Sequence, residues 1–527
     1  DAIPSTCPLD PVKLTVLKAW IGAGLPIALV TNLINQAIGL LRVHKEEVLE
    51  LLTCLAGVHG LEPAESLSLI PIILKIDPSE GEDEAQLYVA FCENHSDDIF
   101  EAAIKRQDSL AQEFFKQFLL RVTASDSSHV SSNSFNAWYL IHELAIEEGL
   151  PAGHLISSLF TNLTSVLLEK SIQSGDHEDD SEEWLQYRRD LADCLLCCWR
   201  ILNKDIYPLL LENLSLNCPA PFIESRLFAF SAISEEIEET HPLLESFISH
   251  LPSLVTNSVK NQCHAIKLFG CFAHIIIPPG TVKLILGQLG GESSLECART
   301  FYKIAEESST SFTKEDRHSM IGHFSTLQDE QAVMVLCKVI GMLSGTMNEE
   351  FDVAIRSLLA VNNLDCLTAL LKSAIGAPLV CTTTILSLFD LCVHNILDNT
   401  AQVEKVCILA DTLVIATQQV PASLVDAIRI AASSTPTEQL IALCTTIICV
   451  QPCLTSAMIA CLPTLDRLLE EDLQEAYLLL LAKTCYKGLI DIDVLHRSLQ
   501  WTVNRLASNC ISTPLLRSIV KLHSSLL

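Results

Sequence analysis

Apolar residues recur along the chain at steps of three and four, which is the spacing of one face of an α-helix. In the stretch PFIESRLFAFSAISEEIEET, one such face carries Ile223, Leu227, Phe230, Ile233 and Ile237, while glutamates occupy much of the remainder. The stretch HLISSLFTNLTSVLLEK repeats the pattern. No convincing strand-turn-strand alternation accompanies it, so the sequence predicts an all-α protein.

The predicted helices form pairs that are separated by short breaks, such as Gly149-Leu150-Pro151 and Pro278-Pro279-Gly280. A pair recurs about every 40 residues, which is the period of HEAT and armadillo arrays. A single pair cannot bury its apolar face alone, so neighbouring pairs stack into a superhelix with a long concave surface. We therefore predict one continuous right-handed α-solenoid of HEAT-type antiparallel helix pairs over residues 1–527. A set of separate all-α domains is the alternative.

The charge balance limits the kinds of partner that the protein can bind. Aspartate and glutamate total 64 against 34 lysines and arginines, a formal net charge of −30. Nucleic-acid binding draws its affinity from lysine and arginine, so this balance argues against direct contact with DNA or RNA. It favours a basic protein partner, which the net charge would attract, although acidic residues can also serve solubility alone.

Acidic residues are concentrated in two short stretches. One lies within a loop near 174–183, which contains DHEDDSEE, and the other is DPSEGEDE at 77–84. Like charges packed this densely resist compaction, so both stretches are predicted to be exposed. The first is the stronger candidate for contact with a basic partner and the second follows it. The candidate residues of the first stretch are Asp176, Glu178, Asp179, Asp180, Glu182 and Glu183.

The sequence carries no recognisable motif for catalysis, metal binding or an organic cofactor. It lacks a nucleophile elbow, a phosphate-binding loop, a dinucleotide fingerprint and an HExxH zinc motif. Cys194, Cys197 and Cys198 are spaced along one helical stretch, but no second ligand pair accompanies them and apolar residues surround them. We interpret them as core packing. The chain is therefore predicted to be a binding protein without a cofactor, not an enzyme.

Cysteine usage and hydropathy bear on the compartment. Many of the 21 cysteines sit inside apolar runs, which favours reduced thiols and a cytosolic or nuclear location. The uncharged stretch 439–465 is long enough to span a bilayer, but Pro452 and Pro463 interrupt it. It is predicted to form two buried helices joined by a turn, without membrane insertion.

Three motifs resemble a known family. NSFNAWYLIHELAIEEG at 133–149 and DDSEEWLQYRRDLADCLL at 179–196 resemble, in order and spacing, an FNFWY helix and an acidic loop followed by an (F/Y)R helix. VLKAWIGAGLP at 16–26 resembles a recurring L..W...G helix. These features belong to the karyopherin-β (importin-β superfamily) nuclear transport receptors, in the transportin-SR and importin-thirteen branch. The matching residues, to which we assign structural roles, are Trp20, Phe135, Trp138, Tyr139, Tyr187, Arg188 and Asp193.

The resemblance implies a receptor that binds protein cargo on a concave surface, contacts nucleoporins and Ran-GTP, and shuttles between cytoplasm and nucleus. The family binds Ran-GTP through amino-terminal repeats, and this chain resembles the repeats that follow them, so Ran contacts are expected mainly outside this segment. The transportin-SR helix that reads phosphorylated Arg-Ser domains corresponds to 399–419, where Gln402, Lys405, Ile408 and Thr412 stand instead of several arginines. This favours folded, basic cargo. A HEAT-repeat scaffold without Ran coupling is the alternative function.

Overall fold

The described part of the chain is built from α-helices. The computed structural model describes residues 10–23, 27–58, 61–149, 155–172, 182–215, 217–254, 259–343, 348–374, 383–398, 402–434, 437–454, 457–459, 471–486 and 500. No β-strand occurs within these ranges. The predicted all-α class is confirmed.

The chain divides into two compact units, Asp1–Cys271 and Phe272–Leu527. The helices of unit 1 are α1 Pro11–Gly22, α2 Ile27–Gly39, α3 Lys45–Ala56, α4 Pro63–Ile73, α5 Glu82–Asn94, α6 Ser96–Phe100, α7 Ser109–Gln117, α8 Ser128–Asn133, α9 Phe135–Glu147, α10 Leu155–Lys170, α11 Glu182–Leu202, α12 Ile206–Leu211, α13 Ala220–Ile233, α14 Pro242–Leu254 and α15 Val259–Cys271. α6 and α7 each continue into a short π-helix, Glu101–Lys105 and Phe118–Thr123.

The helices of unit 2 follow in the same manner. They are α16 Thr281–Leu286, α17 Ser294–Glu307, α18 Lys314–Gly322, α19 Glu330–Leu343, α20 Asn348–Ala360, α21 Leu364–Ala374, α22 Thr383–Leu397, α23 Val403–Thr417, α24 Ala422–Ser434, α25 Glu438–Val450 and α26 Glu471–Tyr486. Helix α25 covers the first part of the uncharged stretch 439–465, and a 3₁₀ turn at Pro452–Leu454 follows it.

Each unit contains two rows of stacked helices. In unit 1, α1, α3, α5, α9, α11, α13 and α15 contact one another in succession, and we call them the front row of unit 1. The back row of unit 1 contains α2, α4, α7, α10, α12 and α14. In unit 2, the front row is α17, α19, α21, α23, α25 and α26, and the back row is α16, α18, α20, α22 and α24. This stacking of helix pairs confirms the predicted HEAT-type plan within each unit, while one continuous solenoid over 1–527 stays a prediction.

Local sequence signals fix where several helices begin and end. Asp10 caps α1 by accepting a hydrogen bond from the backbone N–H of Lys13 at 2.9 Å, and a proline follows it at the first helical position. Thr313 and Asp316 form a reciprocal capping box at the start of α18. Gln418 adopts a left-handed conformation, φ 54°, where α23 ends.

The periodic apolar face predicted from the sequence lies in the core. Ile223, Leu227, Phe230 and Ile233 on α13 are fully buried, and Ile237 just beyond the helix is buried as well. They lie in a helix that packs between α11 and α15 of the front row and also contacts α10 and α12. Burying one such side chain stabilises the fold by about 1.5–3 kcal/mol.

A chain of aromatic rings links successive helices of unit 1. The ring centroids of Tyr88 and Phe114 lie 5.3 Å apart, those of Phe114 and Phe118 lie 6.2 Å apart, and Phe118 is 5.6 Å from Trp138. Trp138 in turn meets Phe160 edge-on at 6.1 Å. These contacts connect α5, α7, α9 and α10, so the core of unit 1 extends from one helix pair into the next.

Candidate functional site

The strongest acidic candidates fall mostly beyond the described part of the chain. Asp176, Glu178, Asp179 and Asp180 lie outside the described residues. Glu182 and Glu183 are exposed and stand in the first turn of α11, where carboxylates interact favourably with the helix dipole. Their contact with a partner remains a prediction.

The second acidic stretch, 77–84, is not uniformly exposed. Asp77 pairs with Arg121 at 2.9 Å, and hydrogen bonds from Ser79, followed by the charge of Arg121, lower the pKa of Asp77. Glu84 is only 2% exposed, because its carboxylate turns inward to meet Lys45. The hydrogen bond with Glu84 raises the pKa of Lys45. The prediction of exposure is therefore wrong for Glu84, where one lysine from the preceding front-row helix makes burial possible.

The exposed members of this stretch open onto a groove along the front row of unit 1. Glu82 and Asp83 begin α5, and Asp83 shares the groove with Glu46 and Glu50 of α3. Gln86 and Asp83 also line its continuation, which reaches His129 on α8. We call this surface the acidic groove and define it by Glu46, Glu50, Glu82, Asp83, Gln86 and His129. No local sequence signal joins α3 to this groove, although Glu46 also stands in a first helical turn.

Ion pairs between neighbouring helices leave the acidic groove with an excess of negative charge. Lys18 on α1 lies 2.6 Å from Glu50 and so neutralises this one carboxylate of the acidic groove. Glu46, Glu82 and Asp83 form no ion pair with another described residue. The same use of cations recurs elsewhere in unit 1, where Arg200 on α11 lies 2.7 Å from Glu236. Many of the scarce cations therefore hold helices together instead of balancing the exposed acids.

A buried carboxylate connects three successive helices of the front row. Glu224 on α13 is 5% exposed, and its Oε1 lies 2.8 Å from Arg188 Nη2 on α11 and 3.0 Å from His264 Nε2 on α15. Burial alone would raise the pKa of Glu224, but hydrogen bonding with His264 and the charge of Arg188 outweigh it and lower the pKa. The guanidinium of Arg188 also lies 4.0 Å from the ring centroid of Phe228.

We call Glu224 with its partners Arg188 and His264 the relay. Sequence motifs do not identify it, although the spacing of the three residues carries a signal. In the sequence, Arg188 stands out only through the family motif, and Glu224 and His264 belong to no motif. The three residues are 36 and 40 positions apart, close to the repeat period, so they occupy similar positions in successive repeats. A search for opposite charges at the repeat spacing would have paired them.

The other residues that carry the family resemblance divide between core and surface. Trp138 is fully buried, and its Nε1–H donates to Thr123 Oγ1 at 2.8 Å. The hydroxyl of Tyr187 lies 3.1 Å from Ser131 Oγ, and its ring packs against Phe135. Three residues are not in the core: Trp20 is half-buried, Tyr139 is 48% exposed and Asp193 is exposed.

Helix α23 lies within 399–419, the segment that the sequence resemblance predicts to correspond to the arginine-bearing helix of transportin-SR. Thr412 is 1% exposed, so it faces the core and cannot contact a partner. Lys405 is held by Asp365 of α21 at 2.5 Å, while Gln402 and Ile408 are exposed. Lys405, the lysine of α23, therefore already has a carboxylate partner within the front row of unit 2.

Metal binding, thiol chemistry and membrane insertion each require a particular arrangement of side chains. Among the described residues, no group of three or more histidine, cysteine or carboxylate side chains is arranged to hold a metal ion. Cys194, Cys197 and Cys198 are buried in α11, and burial raises the pKa of all three thiols, that of Cys197 to about 12. Within the described ranges, no helix has the length and apolar character needed to cross a membrane.

Comparison with known proteins gives likenesses in structure. No protein-family model matches the sequence, and no curated protein matches it. Importin-13 in its cytosolic state has a TM-score of 0.77 at 13% identity, over 99% of this chain and 74% of that one. Yeast importin-β, Kap95p, whose binding induces the switch loops of RanGDP to adopt the GTP-bound conformation, has a TM-score of 0.51 at 13% identity, over 99% and 80%. A complex of Kap95 with Nup1 has a TM-score of 0.51 at 11% identity, over 97% and 78%. The chain therefore has the α-solenoid fold of these importin structures.

Proposed function

We propose that the chain belongs to a nuclear transport receptor of the karyopherin-β superfamily, in the transportin-SR and importin-13 branch. The observation that carries this proposal is the likeness to importin-13, which extends over 99% of the chain at a TM-score of 0.77. The resemblance of the helix around Trp138 and of α11 to the sequences of that branch supports the same assignment. The protein acts by binding a protein cargo, not by catalysis.

The acidic groove is the proposed contact surface for cargo. Neighbouring front-row helices of unit 1 contact each other more extensively than neighbouring back-row helices do. Closer packing in one row bends a stack towards that row, and on this basis we propose that the front row is the concave side of the unit. Glu46, Glu82 and Asp83 have no neutralising partner among the described residues, and they attract a basic cargo over about 8 Å at physiological salt.

Ran-GTP and nucleoporins are the proposed partners that move the receptor between cytoplasm and nucleus. Support comes from Kap95p, one structure of which concerns the switch loops of RanGDP and another of which is a complex with Nup1. As the sequence resemblance implied, the principal Ran contacts are placed outside this segment. The net charge of −30 leaves direct binding of nucleic acid out of the proposal.

Binding to Ran separates the proposed receptor from a scaffold with the same architecture. We expect the full-length protein to bind Ran locked in the GTP state at least a hundredfold more tightly than Ran-GDP, as measured by surface-immobilised titration. Binding to neither form would overturn the Ran-coupled mechanism and leave a HEAT-repeat scaffold as the function.

Neutralising the acidic groove is expected to weaken a basic ligand. In Glu46→Gln/Glu82→Gln/Asp83→Asn, each lost carboxylate removes about 0.5 kcal/mol of attraction, which amounts to roughly tenfold in Kd at low salt. The probe is a fluorescent lysine- and arginine-rich peptide, whose binding is followed by anisotropy. The salt dependence of the Kd should become shallower at the same time, because fewer charge pairs are screened.

The control changes the same number of charges on the back row. Glu62, Glu65 and Glu245 lie at or near the beginnings of α4 and α14, so their replacement by glutamine causes a similar loss of favourable helix-dipole interaction. This control should leave the Kd within about twofold. An equal weakening in both variants would mean that the peptide senses only net charge, and the acidic groove would not be the site.

A further inference from the structure

Helices α19 and α21 of unit 2 approach each other very closely at Gly341. A Cβ placed on Gly341 of α19 would lie 2.4 Å from the carbonyl oxygen of Leu370 and 2.7 Å from Ser373 Cβ. No side chain fits at that distance, so the two backbones touch at this glycine. Residues one turn away on either helix are consequently held much closer together than in an ordinary helix contact.

A cysteine lies one turn before this contact on each of the two helices. Cys337 lies one turn before Gly341 on α19, and Cys366 lies one turn before Leu370 on α21. Both side chains are buried, at 0% and 1% exposure, and hydrogen bonding between the two thiols contributes to the pKa shift of each. A disulfide needs Cβ atoms about 3.8 Å apart, so two thiols already in contact need only a small movement to be joined.

We propose that Cys337 and Cys366 are a redox-reactive pair, which a peroxide converts into a disulfide that joins two neighbouring front-row helices of unit 2. The proposal does not depend on the transport function. In a reducing compartment the pair remains as two thiols, and the bond forms during exposure to peroxide and is reversed by thiols.

Oxidation proceeds in two steps, attack of one thiolate on peroxide and then disulfide formation. The hydrogen bonding between Cys337 and Cys366 sets which thiol reacts first. It lowers the pKa of Cys366, whereas burial, followed by the same hydrogen bonding, raises the pKa of Cys337. Cys366 is therefore the thiolate that attacks hydrogen peroxide, giving a sulfenic acid and hydroxide. The Cys337 sulfur then attacks the Cys366 sulfur and expels its hydroxyl group as water. Overall, two thiols and one hydrogen peroxide give one disulfide and two waters.

A second pair of buried cysteines provides the matched comparison. Cys392 on α22 and Cys407 on α23 are fully buried on helices that pack together, and burial raises the pKa of each thiol to about 12. Neither thiol is activated in the way that Cys366 is. Peroxide should therefore leave this pair reduced under conditions that oxidise the first.

Tryptic mapping tests the bond directly, because Cys337 and Cys366 fall in separate peptides that contain no other cysteine. The full-length protein is treated with hydrogen peroxide, alkylated, digested without reduction and examined by mass spectrometry. We expect peptide 318–338, which contains Cys337, to be linked to peptide 357–372, which contains Cys366, after allowance for methionine oxidation. Dithiothreitol should release both peptides. Peptide 373–405, which contains Cys381 and Cys392, and peptide 406–429, which contains Cys407, should stay unlinked to each other.

Single variants test which cysteine reacts first and whether the disulfide stabilises the protein. In Cys337→Ala, peroxide should leave a sulfenic acid at Cys366 that dimedone captures, and Cys366→Ala should give no capture at Cys337. Oxidation should raise the unfolding midpoint of the wild type by about 5 °C and that of neither variant. Full alkylation of Cys337 and Cys366 after peroxide treatment of the wild type would overturn the proposal, as would their linkage to other cysteines instead.

Discussion

Replacing Glu224 with alanine is expected to destabilise unit 1 by about 3–5 kcal/mol, because it leaves a poorly exposed arginine without its counter-charge. The Arg188 side chain is 14% exposed and lies 2.8 Å from the Glu224 carboxylate, so solvent cannot replace that partner easily. His264 on the next helix loses its partner at the same time. Four of the five tryptophans lie in unit 1, so urea unfolding followed by tryptophan fluorescence reports on the affected helices.

An exposed ion pair and a double replacement serve as controls for Glu224. Glu239→Gln breaks the exposed pair between Glu239 and Lys204, whose side chains are 74% and 47% exposed, and should leave the midpoint of urea unfolding essentially unchanged. Joining Arg188→Met to Glu224→Leu should recover most of the loss, since no unpaired charge is left buried. A loss below about 1 kcal/mol in Glu224→Ala would show that the relay contributes no more than a surface pair.

The same carboxylate makes the stability of unit 1 depend on pH. The folded state lowers the pKa of Glu224 below its ordinary value of 4.5, so the contribution is complete above that value. It is lost as the pH falls through the lower pKa of the folded state. The stability difference between wild type and Glu224→Gln should therefore shrink below about pH 4.5.

Replacing Trp138 with alanine is expected to destabilise unit 1 by about 3–5 kcal/mol. The indole is fully buried, contacts the rings of Phe118 and Phe160, and donates a hydrogen bond to Thr123. Its loss opens a cavity where α7, α9 and α10 meet and leaves a buried hydroxyl without its donor. Urea unfolding monitored by circular dichroism is the appropriate measurement, because this variant removes one of the fluorescent reporters.

Two further variants separate the contributions at this site. Trp138→Phe retains most of the ring but removes the N–H donor, so it should cost about 1–2 kcal/mol. Tyr139→Ala changes the adjacent residue of the same helix, which is 48% exposed, and should stay within about 1 kcal/mol of the wild type. Equal losses for Trp138→Ala and Tyr139→Ala would contradict a central role for Trp138 in the core.

The burial or exposure of individual charged residues is the feature that the sequence predicts least well. The sequence predicts one exposed acidic stretch at 77–84, yet Glu84 is buried against Lys45 while Glu82 and Asp83 face the acidic groove. A carboxylate that meets a lysine 39 positions earlier in the chain gives no local signal. Whether a charge is buried depends on the partner that folding brings to it, and this partner comes from another repeat.

The sequence by itself determined the all-α class, the helix pairs and the buried face of α13, because these follow from periodicity and capping between residues that are neighbours in the chain. The tertiary structure alone decided which acids share the groove, that Glu224 joins Arg188 to His264, and that Cys337 meets Cys366. Those pairings depend on the register of one repeat against the next. That register is set by the packing of whole helices, such as the contact at Gly341, and the apolar spacing within a single helix does not specify it.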